Sequence, residues 1–181
     1  MEGKHTAMAW KIDTTHSQVS FAVKHMMVST VKGTFNVFGG KLDIDEANPA
    51  NSWVEAEADA SSINTRDENR DNHLRSADFF DAQTHPTITF KSKKIEPVSG
   101  EEYRVLGDLT IHGVTKEVLF NAEYSGQVKD PYGLQRAGLN AKAAINRKDF
   151  GLTFNALLES GGAVVGDKVT IEIDLEATKE N

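Results

Sequence analysis

At 181 residues and 19.8 kDa the chain has room for one domain of ordinary size and none for a second catalytic domain. Hydrophobic residues at 39% and charged residues at 26% describe a globular chain with a real core, which excludes disorder and collagen-like repetition. A net charge of -7 repels phosphate backbones and anionic lipid head groups, so nucleic acid is not an expected partner, and the absence of Cys excludes disulfides, thiolate nucleophiles and Cys-ligated metal centres.

The first ten residues are scattered, small and polar, with no apolar core of seven or more, so they do not read as a secretory signal. Residues 1–9 are expected to be a disordered or expression-derived N-terminus ahead of a single domain over residues 10–178. The expected location is the cytoplasm for the chain as written, and the periplasm or exterior if a leader has been removed. No stretch of 18 apolar residues occurs, so no helical membrane span is expected.

From residue 18 onward the dominant signal is alternation with a period of two. Val19, Phe21, Val23 and His25 fall on one side of the first strand, and Gln18, Ser20, Ala22 and Lys24 on the other. Further strands are predicted over residues 31–45, 54–60, 87–94, 103–111, 116–128 and 135–147, most of them separated by Gly, Pro, Asn or Asp clusters. The last is the cleanest: Val169, Ile171, Ile173, Leu175 and Ala177 alternate with Lys168, Thr170, Glu172, Asp174 and Glu176. Residues 64–81 break the pattern with many charges and few β-branched residues. Thr65 and Glu68 stand at capping-box spacing, so one or two short helices are predicted there. Phe79 and Phe80 close this insert and are expected to plug or lid one end of the sheet.

About eight antiparallel strands make either a sandwich or a closed barrel, and closure alone removes edge strands. Gly39-Gly40, Gly107 and Gly126 are the positions where strands of a barrel would coil. An immunoglobulin-like sandwich would more often carry a Cys and Trp core pair, and here Cys is absent. The prediction is an all-β protein: one eight-stranded antiparallel β-barrel with a short helical insert.

The size of the inward residues separates a packed core from a container. On residues 54–60 the polar set points outward and leaves Val54, Ala56, Ala58 and Ala60 inside. On residues 135–147, Arg136, Asn140 and Lys142 point outward and leave Ala137, Leu139, Ala141, Ala143 and Ile145 inside. Eight strands enclose a space that side chains just fill, or that holds one small ligand when the side chains are small. Two alanine-lined strands therefore predict a cavity, unless Phe21, Phe35, Phe90 and Phe120 reach across it.

The run Asp13-Thr14-Thr15-His16-Ser17-Gln18-Val19-Ser20-Phe21-Ala22-Val23-Lys24-His25, continuing through Val31-Lys32-Gly33-Thr34-Phe35, resembles the opening signature of the YceI-like family. The same resemblance is carried by His73-Leu74-Arg75-Ser76 with Asp78-Phe79-Phe80-Asp81, by His85-Pro86 with Phe90, by the stretch from Gly107-Asp108-Leu109-Thr110 through Ile111-His112-Gly113-Val114-Thr115-Lys116, and by Asn146-Arg147-Lys148-Asp149-Phe150-Gly151-Leu152. The resemblance implies a lipocalin-like barrel whose elongated apolar pore holds an isoprenoid, an isoprenoid quinone or a fatty-acid-like lipid for storage, transport or sequestration. It further implies a homodimer and no catalytic cofactor; the bound lipid is the only small-molecule partner expected. The candidate ligand contacts are the inward positions Val19, Phe21, Val23, His25, Phe35, Val37, Ala56, Ala58, Phe90, Leu109, Ile111, Phe120, Leu139, Ala141 and Ala143. Phe150 and Leu152 after the last bend, and Phe79 and Phe80 at the insert, complete the set.

Other motifs have plainer readings. Asp149-Phe150-Gly151 spells a kinase magnesium motif, but the chain is too short for a kinase and lacks a glycine-rich phosphate loop. Arg147 and Asp149 are expected to form a structural ion pair. No two histidines stand at His-x-x-x-His spacing, so turn or capping hydrogen bonds are expected for His16, His85 and His112, and no metal site is expected. His25 continues an inward phase and is expected to place a polar group near a ligand head group. No Gly-x-Ser-x-Gly elbow and no inward carboxylate pair is evident, which leaves catalysis by an isomerase or hydrolase, and a ligand-free structural barrel, as the alternatives to binding.

Overall fold

The computed structural model describes residues 9–156 and 164–179; the expectation for residues 1–8 lies outside the described residues. The alternating segments form β1 (Trp10–Ile12), β2 (Gln18–His25), β3 (Ser29–Phe35), β4 (Phe38–Asp43), β5 (Trp53–Asp59), β6 (Ile63–Asn64), β7 (Thr87–Ser99), β8 (Glu102–Ile111), β9 (Val114–Lys129), β10 (Gln135–Asn146) and β11 (Val165–Lys179). One helix, α1 (Glu68–Arg75), sits in the insert. β1 runs on into β2, and β3 into β4, each pair acting as one bent strand, so eight strands close the barrel. Closure is made by β11. It pairs with β10 along its length on one side, while on the other it pairs with β1 (Ile12 opposite Ala177) and then with β2 (Val19 opposite Ile173). β9 shows why these sequences make half-buried strands: Val118, Phe120 and Ala122 are buried, while Glu117, Leu119, Asn121 and Glu123, which alternate with them, are exposed.

The bend between β3 and β4 falls at Asn36-Val37 rather than at Gly39-Gly40. There the Asn36 N–H donates to the Ser62 carbonyl (3.1 Å), and the Val37 carbonyl accepts from the Asp59 N–H (2.8 Å). These bonds insert an extra residue, so Phe35 and Phe38 both face inward although they are three apart. Val37, expected inside, is 59% exposed, because one added residue reverses the alternation. Gly126 does mark a coil: Gly138 pairs with Gly126 and Leu139 with Tyr124, which leaves Ser125 unpaired and Gly126 at φ 90.

In the insert, Asp67 rather than Thr65 caps α1, its carboxylate accepting from the Arg70 N–H at 3.0 Å. Thr65 is buried instead, and both its N–H and its hydroxyl donate to Asp71 Oδ1 (2.8 and 2.6 Å). The capping-box reading fails because Asp71, also buried, takes Thr65 for the core side of the turn.

Strand directions give the barrel two unlike ends. One carries the 44–52 loop, the β7–β8 and β9–β10 turns, and the outer ends of β1 and β11. The other carries the Met26-Met27-Val28 hairpin tip, the helical insert, the His112-Gly113 turn and the turn after β10.

Candidate ligand-binding lumen

The interior is unfilled toward the first of these ends. A cavity of about 210 Å³ is lined by Val19 of β2, Phe38 and Leu42 of β4, Val54, Ala56 and Ala58 of β5, Ile88 and Phe90 of β7, and Val105, Leu109 and Ile111 of β8. Phe120, Ala122 and Tyr124 of β9, Leu139 and Ala141 of β10, and Ile171, Ile173 and Leu175 of β11 continue the wall, which also takes in Ile12 of β1, the polar Glu57 of β5, and Thr89 and Ile95 of β7. On β8 the lining runs from Tyr103 to Ile111. At roughly 3.3 Å per residue that is about 26 Å of strand, or about 20 Å along the axis of a barrel whose strands tilt by roughly 40°. A small volume drawn out over such a length is a slender channel, shaped for a chain rather than for a compact ring system.

Polar groups gather at the mouth, where Asp43, Asp45, Glu46, Ser52 and Trp53 join the lining. The loop is held by its own side chains: Ser52 Oγ accepts from the Asp45 N–H (2.9 Å), and Asp45 Oδ1 accepts from the Asn48 N–H (2.9 Å). Tyr124 reaches it across the opening, its hydroxyl donating to Glu46 Oε1 at 2.7 Å. Burial and the Glu46 carboxylate together push the phenol above its ordinary pKa, so it stays a neutral donor. Among the described residues no Lys, Arg or His lines the lumen; Lys41, Lys91 and Lys179 border a second groove that shares Asp43, Asp45 and Glu46 with the mouth.

The structure divides the predicted contacts. Val19, Ala56, Ala58, Phe90, Leu109, Ile111, Phe120, Leu139 and Ala141 line the lumen. Phe21 and Phe35 do not: their rings pack on each other at 5.7 Å near Ile63 and Leu74. Ala143, Phe150 and Leu152 are buried in the core that closes the far end, together with Val118. Val23 and His25 stand at that far end beside the Met26 hairpin tip, outside the lining, which leaves His25 away from any head group at the mouth. Phe80 packs edge-on against Phe35 at 5.8 Å, and Phe79 forms a three-ring cluster with His73 and Phe154, 5.1 Å from each. Both phenylalanines therefore plug the end opposite the opening, and neither lids the mouth.

Several lining residues were not singled out from sequence. Ile171, Ile173 and Leu175 carry the inward phase of the cleanest strand, and continuing the alternation from Phe120 reaches Ala122 and Tyr124. Phe38 is hidden by the phase break at Val37. The expected Arg147–Asp149 pair is also absent. Arg147, 3% exposed, donates to the carbonyls of Leu152 (2.6 Å), Phe154 (2.8 Å) and Gly166 (2.8 Å), and its ionic partner is Asp167 at 3.7 Å. Residues two apart in a tight 3₁₀ turn face different ways, and Asp149 faces solvent. Of the three histidines expected in turns, His16 does bond its turn, with Nδ1 2.7 Å from Asp13 Oδ2. His85 and His112 stack edge-on at 4.9 Å instead. No helix among the described residues is long and apolar enough to cross a membrane.

Comparison with known proteins agrees with this architecture. The YceI-like domain profile matches residues 10–177. A UPF0312 protein of Staphylococcus epidermidis is 41% identical over 173 residues, covering 95% of this chain and 98% of its own. Among solved structures, the YceI protein of Campylobacter jejuni superposes with a TM-score of 0.75 at 33% identity, covering 87% of this chain and 90% of its own. A polyisoprenoid-binding domain from Saccharophagus degradans, implicated in plant cell wall breakdown, matches with a TM-score of 0.67 over 94% of this chain and 98% of its own. At 19% identity it shares the fold.

Proposed function

Because the chain belongs to the YceI-like domain family, we propose that its lumen binds one long apolar chain, a polyisoprenoid, an isoprenoid quinone or a fatty-acid-like lipid, and carries or stores it without turnover. The observation that carries this reading is the slender channel walled by small and branched apolar side chains. The polyisoprenoid-binding domain of Saccharophagus degradans, which shares the barrel, is consistent with it. Each methylene withdrawn from water contributes about 0.8 kcal/mol, so a chain of several isoprene units offsets the cost of its own ordering. With no cation in the lining, the lumen selects for length and apolarity and leaves the head group to the mouth, where Tyr124 and the 44–52 loop offer hydrogen bonds. The acids among the described lining residues, Asp43, Asp45, Glu46 and Glu57, have no Lys, Arg or His beside them in that lining, which favours binding over catalysis.

The test is mass spectrometry of an organic extract of the purified protein, followed by reloading with a polyprenol. The expected result is about one long-chain apolar molecule per protomer, recovered chemically unchanged. A clean extract with no uptake of polyprenol would mark a ligand-free structural barrel, and a converted product would mark an enzyme.

A further inference from the structure

We propose that Asp81, His85 and His112 form a binding site for one divalent transition-metal ion of the zinc class, at the plugged end of the barrel. The three side chains come from two elements far apart in sequence: the turn that closes the helical insert, and the hairpin between β8 and β9. Each is partly buried, each offers one ligand atom, and all these atoms lie within 4.8 Å of one another.

The backbone holds them there. Asp81 takes φ 45, its N–H donating to the Ser76 carbonyl (2.9 Å), while its own carbonyl accepts from the His85 N–H (2.8 Å), which folds His85 back beside it. His112 and Gly113 both have positive φ (56 and 73), forming a two-residue hairpin turn that turns the His112 ring toward His85. The glycines make room: a Cβ on Gly113 would stand 2.8 Å from His85 Cε1, and one on Gly151 would stand 3.1 Å from His112 Nδ1. A larger residue at either place would crowd an imidazole.

Among the described residues, nothing uses these donors. None of the three side chains has a hydrogen-bond or ion-pair partner among the described residues. The contrast with the chain's other cluster of this kind, Asp13, His16 and Glu176, is direct. There His16 already bonds Asp13 at 2.7 Å, and Arg136 stands 3.0 Å from Asp13 and 3.6 Å from Glu176, so the cluster already holds its cation. Two imidazoles and one carboxylate suit zinc and its first-row neighbours and do not suit calcium or magnesium, which take oxygen ligands. Bonds of about 2.0–2.1 Å place the ligands of a tetrahedral ion about 3.3 Å apart, so side-chain torsions need close the set by only about 1.5 Å, with water as the fourth ligand. A bound ion would tie the helical insert to the β8–β9 hairpin, and would do so whether or not the lumen is filled.

The test is titration of the untagged, chelator-treated protein with Zn²⁺ by calorimetry and with Co²⁺ by visible absorption. The variants are His85→Gln, His112→Asn and Asp81→Asn. Asn tolerates positive φ, and Asn-Gly is a favoured two-residue hairpin pair, so the last two keep the backbone while removing the ligand. One Zn²⁺ per chain is expected, with Co²⁺ giving the intense bands of a tetrahedral site, affinity at least tenfold lower in each folded variant, and no change in His16→Gln. An absence of stoichiometric binding, or wild-type affinity in folded His112→Asn and His85→Gln, would overturn the proposal.

Discussion

The two halves of the barrel interior are built on the same alternation and end in opposite states. Toward the insert, Phe80, Ala143, Phe150 and Leu152 pack into a continuous core, and Phe150 is 1% exposed. Toward the 44–52 loop the same inward phases carry Ala56, Ala122 and Ala141, which do not reach across, and an apolar channel remains. Inward alternation specifies a barrel; the volume of the inward side chains decides whether that barrel is a core or a container.

The contrast breaks most visibly at the filled end. Phe150→Ala is expected to destabilise the protein by about 3–5 kcal/mol, the range for a large aromatic removed from a close-packed site, measured by denaturant unfolding. An effect below about 1 kcal/mol would mean that this end is as loosely filled as the other. Phe80→Ala, at a half-buried position, is expected to cost about 2–3 kcal/mol and to leave the rate of lipid exchange in the folded protein unchanged, because the opening lies at the other end. Faster exchange, followed with a fluorescent fatty acid, would restore Phe79 and Phe80 as a lid. The smallest effect belongs to the rim, where the hydrogen bond with Asp13 raises the His16 pKa and the same bond lowers that of Asp13. A raised imidazole stabilises the fold below its ordinary value of 6.5 and loses that contribution as pH climbs through the raised value. A lowered carboxylate stabilises above 3.8 and loses its contribution in acid. The network is therefore strongest between these limits, and because His16 is exposed while Asp13 is only partly buried, solvent screening keeps the change slight. His16→Gln is expected to flatten the fall of Tm above pH 6.5; an unchanged slope would remove His16 from the account.

Most of the fold was legible because period two is a local signal: the phases of residues 54–60 and 135–147 read directly into Ala56, Ala58, Leu139 and Ala141 on the lumen wall. Val37 and Phe38 were not legible, because the bend depends on bonds from Asn36 and Val37 to the 59–62 turn, some twenty-five residues away. Phe21 and Phe35 fall on an inward phase, but alternation gives the face of a strand and not the height along the barrel, and Phe150 and Leu152 lie at and after a 3₁₀ turn where no alternation applies, so core and channel could not be separated. The meeting of His85 with His112 is likewise a product of the closed sheet, which no spacing of histidines in the sequence announces.

The central claim, that the interior reached from the 44–52 loop is left open for a chain, is tested most directly by the same substitution on opposite faces of β10. Ala141 lines the lumen, while Ala144 is exposed on the outer face. Bound lipid per protomer and Tm are measured for Ala141→Trp and Ala144→Trp, each purified from the same cells as the parent. The account predicts that Ala141→Trp loses most of its lipid at a stability cost below the roughly 1–3 kcal/mol of overpacking a filled core, while Ala144→Trp keeps the parent's content. Equal lipid in the two variants, or collapse of Ala141→Trp when the parent carries no lipid, would contradict it.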